Sequence, residues 1–368
     1  MNITFVMAVL NKLDLTKQAY NRIREIYPEV PLVISSGGSS DGTKEWLLEV
    51  SDKDDYLTIF HDDERLTFSE TYNMGIKLVD TEKLVLIHND MVIGRYFLEN
   101  IEELLTENMI LSYTTIEPPI FAGHNRPGKV IYDLGSGFHD FNYEKFEYYT
   151  DYYKNNKKLY NGAVFFMSGY KKVFEDIGGF DGFSFNPAFC EDDDFLIRAK
   201  LKGYDLKTTE CAITYHFVSQ TSRFSDDYKN DRLKIEMSSN RNFVRKWGIP
   251  IYAFNELQYW NEENFQYKTF TMGLTTNNKN LIHVEPFFDK IKMESIPEDY
   301  IEMEQKNTRY DLRSKFTLTD TVDVMVYELS PFDNQDMFTL QKLRLSIPYY
   351  EPGEYQIGNM LIEIKRGV

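Results

Sequence analysis

The sequence predicts an α/β protein with a mixed, mainly parallel sheet flanked by helices, followed by a smaller β-rich C-terminal module. Over the first hundred residues, short apolar runs alternate with amphipathic helical patterns, an order typical of parallel strands joined by helices. Hydrophobic residues make up 42% of the 368-residue chain, which is enough to bury a core. After residue 320, apolar residues recur with a period of two, as they do in half-buried strands.

The elements of the first part follow one another at regular spacing. An apolar run at 3–10 predicts the first strand, and apolar residues at helical intervals predict a helix at 15–26. Turn residues delimit the next elements, which are predicted as strands at 32–34, 56–60 and 83–88 and helices at 43–48 and 69–79. Further strands are predicted at 163–168 and 212–216, further helices at 171–177 and 191–202, and irregular strands and loops at 110–160.

The pattern divides the chain into three parts. Residues 1–250 carry the α/β pattern, residues 251–300 are predicted to link or brace, and residues 301–368 form the β-rich module. The strands of this module are predicted at 322–327, 343–347 and 360–364. The module could bind an acceptor, mediate homo-oligomer formation or brace the first domain. Alternation of apolar residues does not distinguish these roles.

Charge and cysteine content exclude several kinds of partner. The formal net charge of −17 disfavours nucleic acid and anionic membrane surfaces, because both carry negative charge. No apolar run is long enough to span a membrane, so no membrane insertion is predicted. Only Cys190 and Cys211 occur, which is typical of reduced thiols. The sequence therefore predicts a cytoplasmic protein. An acidic protein that binds a nucleotide needs a cation to bridge the phosphates.

Three polar clusters lie where predicted strands end or helices begin. The first is the Ser/Gly loop at 35–42 with Asp41, whose backbone amides could hold a phosphate or whose turn formers could simply connect two elements. The second is His88-Asn89-Asp90, after the apolar strand at 83–88. A carboxylate at such a strand end is placed to hold Mg²⁺ or Mn²⁺, and the alternative is a helix-capping turn.

The third cluster is the acidic run from Glu191 to Asp194, at the start of a predicted helix. Carboxylates there complement the helix dipole, which would be a purely structural role. Four adjacent carboxylates also repel one another, which raises the pKa of any that are buried and suits a general base. A base of this kind could activate the hydroxyl of a sugar acceptor.

Across about residues 2–250, the order and spacing of these clusters resemble family-2 glycosyltransferases with a GT-A fold. The resemblance rests on six segments: the first strand with Asn11, the loop Ser39-Ser40-Asp41-Gly42-Thr43, the segment from Phe68 through Asn73-Met74-Gly75, His88-Asn89-Asp90, the acceptor-side stretch Ile177–Asp181 with Glu191–Asp194, and His216 with Ser219 and Ser222. It implies donor contacts from Ala8, Leu10, Asn11, Ser36, Asp41, Arg65, Asn73 and Asn89. It also implies that Asp90, His88 and His216 bind a metal, that Asp192 is the catalytic base, and that Glu191 belongs to the catalytic pair.

Two positions depart from the family pattern. Ser36 stands where the family usually has an aspartate that reads uracil, so the base of the donor stays open. His88 replaces the first aspartate of the metal motif, and imidazole ligates Mn²⁺ better than Mg²⁺.

The resemblance implies an inverting hexosyl- or deoxyhexosyltransferase. It would use a nucleotide diphosphate sugar as donor, Mn²⁺ or Mg²⁺ as cofactor, and a glycan or another hydroxyl compound as acceptor, as in polysaccharide biosynthesis. One alternative is a catalytically degenerate carbohydrate-binding or assembly protein. Another is a sugar nucleotidyltransferase, which would need a basic, glycine-rich loop for a triphosphate. The loop here has no basic residue before Lys44.

Overall fold

The computed structural model describes residues 1–119, 128–218, 230–253, 269–316 and 321–365. The chain forms two compact units. The first unit comprises residues 1–182 and 191–233, and the second comprises residues 183–190 and 234–368. Within the described residues, no helix is long and apolar enough to cross a membrane.

The first unit holds ten strands and seven helices among its described residues. The strands are β1 (Ile3–Val9), β2 (Leu32–Gly37), β3 (Leu57–Asp62), β4 (Lys83–His88), β5 (Met91–Ile93), β6 (Met109–Glu117), β7 (Lys129–Ile131), β8 (Leu159–Asn161), β9 (Met167–Tyr170) and β10 (Asp205–His216). The helices are α1 (Leu13–Ile26), α2 (Thr43–Ser51), α3 (Phe68–Lys77), α4 (Phe97–Leu104), α5 (Tyr143–Tyr153), α6 (Lys171–Ile177) and α7 (Glu191–Leu201).

These strands form one mixed sheet in the order β3-β2-β1-β4-β9-β6-β10-β5, with β7 beside β6 and β8 beside β10. The strands β1 to β4 are mutually parallel, and β10 runs parallel to β6. The inner strands are buried on both faces, which is why their sequences are nearly continuous apolar runs. The predicted α/β class is confirmed. The chain moves from β1 to β2 on one side and later returns to β4 on the other. The carboxyl end of β1 is therefore the point where strand order reverses, a common place for ligands.

The second unit contains a smaller five-stranded sheet in the order β12-β11-β13-β15-β14. Its strands are β11 (Met272–Thr275), β12 (Lys290–Lys292), β13 (Val324–Glu328), β14 (Gly353–Ile357) and β15 (Met360–Ile364). Its helices are α8 (Arg232–Trp247, apart from its first two residues), α9 (Glu298–Glu304) and α10 (Asn334–Ser346). The second small sheet expected from the alternation is therefore present.

Several predicted boundaries differ from the structure. The part predicted to link or brace, 251–300, contains β11 and β12, although residues 254–268 lie outside the described residues. The strand predicted at 343–347 is instead the end of α10 and the turn after it. A capping box between Asp333 and Asp336 begins that helix. The strand predicted at 163–168 overlaps β9 only at residues 167 and 168, because β8 ends at residue 161 and β9 begins at residue 167.

A buried ion network lies within the second unit. Arg245 donates to Glu285 at 2.7 Å and to Glu304 at 2.8 Å, and all three side chains are at most 1% exposed. Arg241 and Lys315 supply further positive charge to the same two carboxylates. Burial alone would raise the pKa of Glu285, but Lys315 and Arg245 hold it at about 2. Such a network is stable only when every charge is paired, and here the carboxylates are.

Candidate functional site in the first unit

The carboxyl edge of the parallel strands brings several predicted site residues together. In the sheet register, Ala8 of β1 lies between Ser35 of β2 and His88 of β4. Val9 pairs with the buried Ser36, and Leu10 and Asn11 follow directly at the same edge. The clustering follows from the topology, because parallel neighbours end on the same side of the sheet.

The loop after β2 is held by Asn11 and Asp41. The Asn11 backbone amide donates to Ser39 Oγ at 2.9 Å, and its side-chain oxygen accepts from the Ser40 amide at 2.8 Å. Asp41 accepts from the Leu13 amide at 2.8 Å and from the Thr43 hydroxyl at 2.5 Å. Burial alone would raise the pKa of Asp41, but these hydrogen bonds lower it. Asp41 is therefore a charged clamp between the β1–α1 and β2–α2 connections.

Gly38 allows the next connection, between β3 and α3, to approach this loop closely. Its φ of 76° lies in the left-handed region. A Cβ at this position would lie 2.6 Å from the Arg65 Cα, so a larger residue would displace the backbone. The side chain of Arg65 is exposed beside the loop. Glycine at position 38 thus brings Arg65 to the site edge.

His88, Asp90 and His216 form a compact group of potential metal ligands. His216 lies at the end of β10, which pairs with β5 directly after Asp90. The His216 Nε2 lies 3.3 Å and the His88 Nδ1 lies 3.9 Å from the Asp90 Oδ1. One ligand atom from each residue lies within 4.8 Å of the other two. Ions such as Mg²⁺ and Zn²⁺ bind at about 2.0–2.2 Å, so one ion can bind two ligand atoms that lie up to about 4.4 Å apart. The separations of 3.3 and 3.9 Å from the Asp90 Oδ1 are within this limit.

Glu117 and Lys129 stand behind His216. The Glu117 Oε1 lies 3.4 Å from the His216 Nδ1, and the Glu117 Oε2 lies 2.9 Å from the Lys129 Nζ. Burial alone would lower the pKa of His216, but the Asp90 and Glu117 carboxylates raise it to about 9. Burial alone would raise the pKa of Glu117, but His216 and Lys129 lower it to about 2.

Aromatic rings enclose the other histidine. Phe165 and Phe166 lie with ring centroids 4.8 and 5.4 Å from the His88 ring, and Phe68 meets it edge-on. Burial lowers the pKa of His88 to about 4. The imidazole is therefore neutral near pH 7, the form that can donate a lone pair to a metal.

The acidic run begins α7, as predicted. Glu191 is buried, and its Oε2 has no hydrogen-bond partner among the described residues. Burial, together with the neighbouring carboxylates, raises the pKa values of Glu191 and Asp193 well above their usual range. Asp192 is half-buried. The Tyr72 ring lies with its centroid 6.4 Å from the His88 ring and 6.1 Å from the Phe180 ring, and Phe180 lies 4.9 Å from Phe195 of α7. One aromatic cluster thus connects the metal-ligand group to the helix that carries the acidic run.

Arg198 holds the acidic run against the turn after α6. Its guanidinium pairs with the fully buried Asp194 at 2.8 Å. It also donates to the carbonyl oxygens of Ile177 and Gly179, at 2.7 Å each. This contact links the two acceptor-side segments that the sequence singled out.

Replacing Arg198 with methionine should lower the free energy of unfolding by about 3–5 kcal/mol, because the buried Asp194 carboxylate would lose the positive charge of Arg198. Chemical denaturation followed by circular dichroism measures the change. Lys202→Met is the matched control, since Lys202 pairs with Asp176 at the surface and exposed pairs contribute about 0–1 kcal/mol. Equal losses in the two variants would contradict the assigned role of Arg198.

Two predicted donor contacts have partners inside the first unit. The side-chain amide of Asn73 donates to the Phe180 backbone carbonyl and accepts from the Phe180 backbone N–H, both at 2.8 Å. Asn89 donates to Thr16 Oγ1 at 3.0 Å. Both side chains therefore position the site, and their contact with a donor stays a prediction. Ser219 and Ser222 lie outside the described residues.

The family comparison agrees with this arrangement. Residues 4–178 match the family described as Glycosyl transferase family 2. The first unit therefore resembles this family over the matched residues. Its match covers β1 to β9 and the His88–Asp90 segment, while α7 and His216 lie beyond the matched residues. A comparison with curated proteins gave no match.

Solved structures that resemble this chain do so at low sequence identity. The mannosyltransferase PcManGT from Pyrobaculum calidifontis, in complex with GDP-Man and Mn²⁺, is 15% identical with a TM-score of 0.43, over 66% of this chain and 61% of that one. GalNAc-T7 with UDP, GalNAc and Mn²⁺ is 11% identical with a TM-score of 0.46, over 70% of this chain and 53% of that one. Residues 1–349 of S. aureus TarS are 11% identical with a TM-score of 0.45, over 100% of this chain and 98% of that one. The chain thus spans less than two thirds of the first two proteins.

Proposed function

We propose that the protein is an inverting glycosyltransferase that uses a divalent metal to transfer a sugar from a nucleotide diphosphate carrier to a hydroxyl group of a glycan. The observation that supports this most is the presence of two groups in a glycosyltransferase fold: the His88–Asp90–His216 group and the acidic start of α7. The first group suits a metal-bound diphosphate, and the acidic start of α7 suits an acceptor hydroxyl.

The chemistry of His88, Asp90 and His216 fits a divalent metal. One carboxylate and two imidazoles are a donor set that Mn²⁺ accepts more readily than Mg²⁺ does. Their ligand atoms already lie within 4.8 Å of one another. The bound metal would neutralise the negative charge that develops on the leaving diphosphate. His88 would bind it as a neutral ring, and Asp90 through its charge. His216, whose pKa is raised to about 9, would lose its Nε2 proton when the metal binds.

The donor would lie along the carboxyl edge of β1 and β2. The backbone of the loop held by Asn11 and Asp41 would contact the nucleoside, and the positive charge of Arg65 would contact a phosphate. Ser36 is buried and donates to Ser39 Oγ at 2.9 Å. A hydroxyl there both donates and accepts, so it can accommodate a base other than uracil.

Asp192 would take the proton from the acceptor hydroxyl. Burial and the neighbouring carboxylates raise the pKa values of Glu191 and Asp193 well above their usual range, which favours their protonated forms. A protonated carboxyl donates a hydrogen bond and does not accept the proton of an acceptor. A single displacement with one base inverts the anomeric centre. The acceptor itself is inferred from the reaction class alone.

A thermal-shift screen tests the donor and metal assignments. Nucleoside diphosphates with MnCl₂ should raise the melting temperature more than either component alone, because ligands that bind only the folded state stabilise it, by about 2.7 kcal/mol at a hundred times Kd. A protein that no nucleotide stabilises in the presence of Mn²⁺ would contradict the proposal. Release of nucleoside diphosphate from a panel of sugar donors then separates an active transferase from a binding protein.

A further inference from the structure

Glu117 is a buried carboxylate that none of the sequence motifs includes. It is the last residue of β6, and only 7% of its side chain is exposed. Among the residues of β6, all are buried, and a charged group in this setting needs partners. Glu117 has two, one on each neighbouring strand.

The sheet register places these partners on opposite sides of Glu117. On one side, β10 runs parallel to β6 with Ile116 paired to Tyr215, so His216 is the next residue along and faces Glu117. On the other side, β7 pairs with β6 and carries Lys129. Each carboxylate oxygen of Glu117 contacts one partner: Oε1 lies 3.4 Å from the His216 Nδ1, and Oε2 lies 2.9 Å from the Lys129 Nζ.

The two ring nitrogens of His216 face two different carboxylates. Nδ1 faces Glu117, and Nε2 faces Asp90 at 3.3 Å, inside the group that could hold a metal. Each carboxylate favours a proton on the nitrogen that it faces. A metal bound at Nε2 would displace the proton there, and Glu117 would keep the proton on Nδ1. A histidine binds a metal through the nitrogen that carries no proton, and a carboxylate behind the other nitrogen selects this tautomer and raises the basicity of the ligand.

We propose that Glu117 is a positioning residue that orients His216 and keeps the proton on Nδ1, so that Nε2 binds the metal. This inference rests on the proposed metal site. Glu117 does not touch substrate or metal, and it acts only through His216. The competing role is purely structural, in which Glu117 and Lys129 would pair to stabilise the β7–β6–β10 region.

Metal affinity separates the two roles. Free Mn²⁺, measured by electron paramagnetic resonance during titration of the protein, gives the dissociation constant without any need for turnover. Glu117→Ala should weaken Mn²⁺ binding by about 10- to 100-fold, the usual loss when the partner of a ligating histidine is removed. Glu117→Gln should lose less, because its amide oxygen can still accept from Nδ1–H.

Lys129→Gln is the matched control. It removes the charge that faces Glu117 but leaves the contact with His216, so it should lower thermal stability with Mn²⁺ affinity unchanged. A structural role predicts instead that both Glu117 variants lose stability while the folded protein binds Mn²⁺ as the wild type does. That result would overturn the inference. Wild-type protein that binds no Mn²⁺ would instead contradict the metal site itself.

The wild-type protein offers a second measurement, which does not depend on the folding of any Glu117 variant. The protein is labelled with ¹⁵N-histidine, and Zn²⁺ serves as a diamagnetic probe. Long-range ¹H–¹⁵N spectra then report which ring nitrogen carries the proton. With signals assigned through His216→Gln, we expect the His216 proton on Nδ1. A proton on Nε2 in the presence of Zn²⁺ would overturn the inference.

Discussion

Replacing Asp192 with asparagine is expected to lower the rate of sugar transfer by about 10²- to 10⁴-fold, the usual contribution of a general base. The amide has nearly the same shape as the carboxylate but cannot take the proton of the acceptor hydroxyl. Donor binding should be nearly unchanged, because the donor is assigned to the edge of β1 and β2 and to the metal-ligand group. Product formation with an active donor–acceptor pair gives the rate, and titration of nucleoside diphosphate with Mn²⁺ gives the affinity.

Asp193→Asn is the matched control for this prediction. It makes the same change one residue farther along α7. Burial and the neighbouring carboxylates raise the pKa of Asp193 well above its usual range. Asparagine resembles the protonated form of Asp193, so transfer should continue almost as in the wild type. Normal turnover by Asp192→Asn would show that the base has been assigned wrongly. Equal losses in both variants would indicate that the acidic run acts as a unit on helix α7.

The elements that the sequence predicts well are those set by local pattern. The strands at 3–10 and 83–88 correspond closely to β1 and β4, because strands buried on both faces consist of nearly continuous apolar residues. By contrast, β6 contains Ser112, Thr114 and Thr115 although it is fully buried, so its sequence does not resemble a core strand. The sequence at 110–160, which is rich in Tyr, Phe, Gly and Asn, predicts irregular strands and loops, and this pattern gives no signal for Glu117.

The second unit shows the limit of a periodic pattern. Leu343 and Ile347 fit the alternation of a strand, yet Leu343 lies within α10, which begins at a capping box and places Leu340 and Leu343 in the core. Spacings of two and of three or four residues overlap over a short window. The cap at Asp333 is the local signal that could have distinguished them.

The site itself was predictable in position but not in all its contacts. Asp41 follows β2, and His88 and Asp90 lie at the end of β4. Both strands pair in parallel with β1, so the shared edge of these residues follows from the topology. The hydrogen-bond partners of Asn73 and Asn89 do not follow from the topology, because Phe180 and Thr16 lie 107 and 73 residues away in the sequence. A residue type that suits a ligand equally suits a hydrogen bond within the protein, and only the folded chain shows which polar groups it pairs.

The second large effect is expected for Asp90→Asn, which should weaken Mn²⁺ binding by more than about 100-fold, beyond the loss seen when the partner of a metal ligand is removed. Asp90 Oδ1 is the atom nearest to both histidines in the group, at 3.3 and 3.9 Å, and it supplies the only negative charge among the three residues. An amide oxygen at the same place keeps the shape but loses this charge. Sugar transfer should fall in parallel at any fixed Mn²⁺ concentration.

Asp63→Asn provides the control, because it makes the same charge change at a side chain that is 77% exposed and lies outside the metal-ligand group. It should bind Mn²⁺ and transfer sugar as the wild type does. If Asp90→Asn loses Mn²⁺ but still transfers sugar, the reaction does not need the metal. Glu117, the carboxylate that remains beside His216 in this variant, would then hold an imidazolium at the diphosphate, and that positive charge would stabilise the leaving group in place of a metal ion.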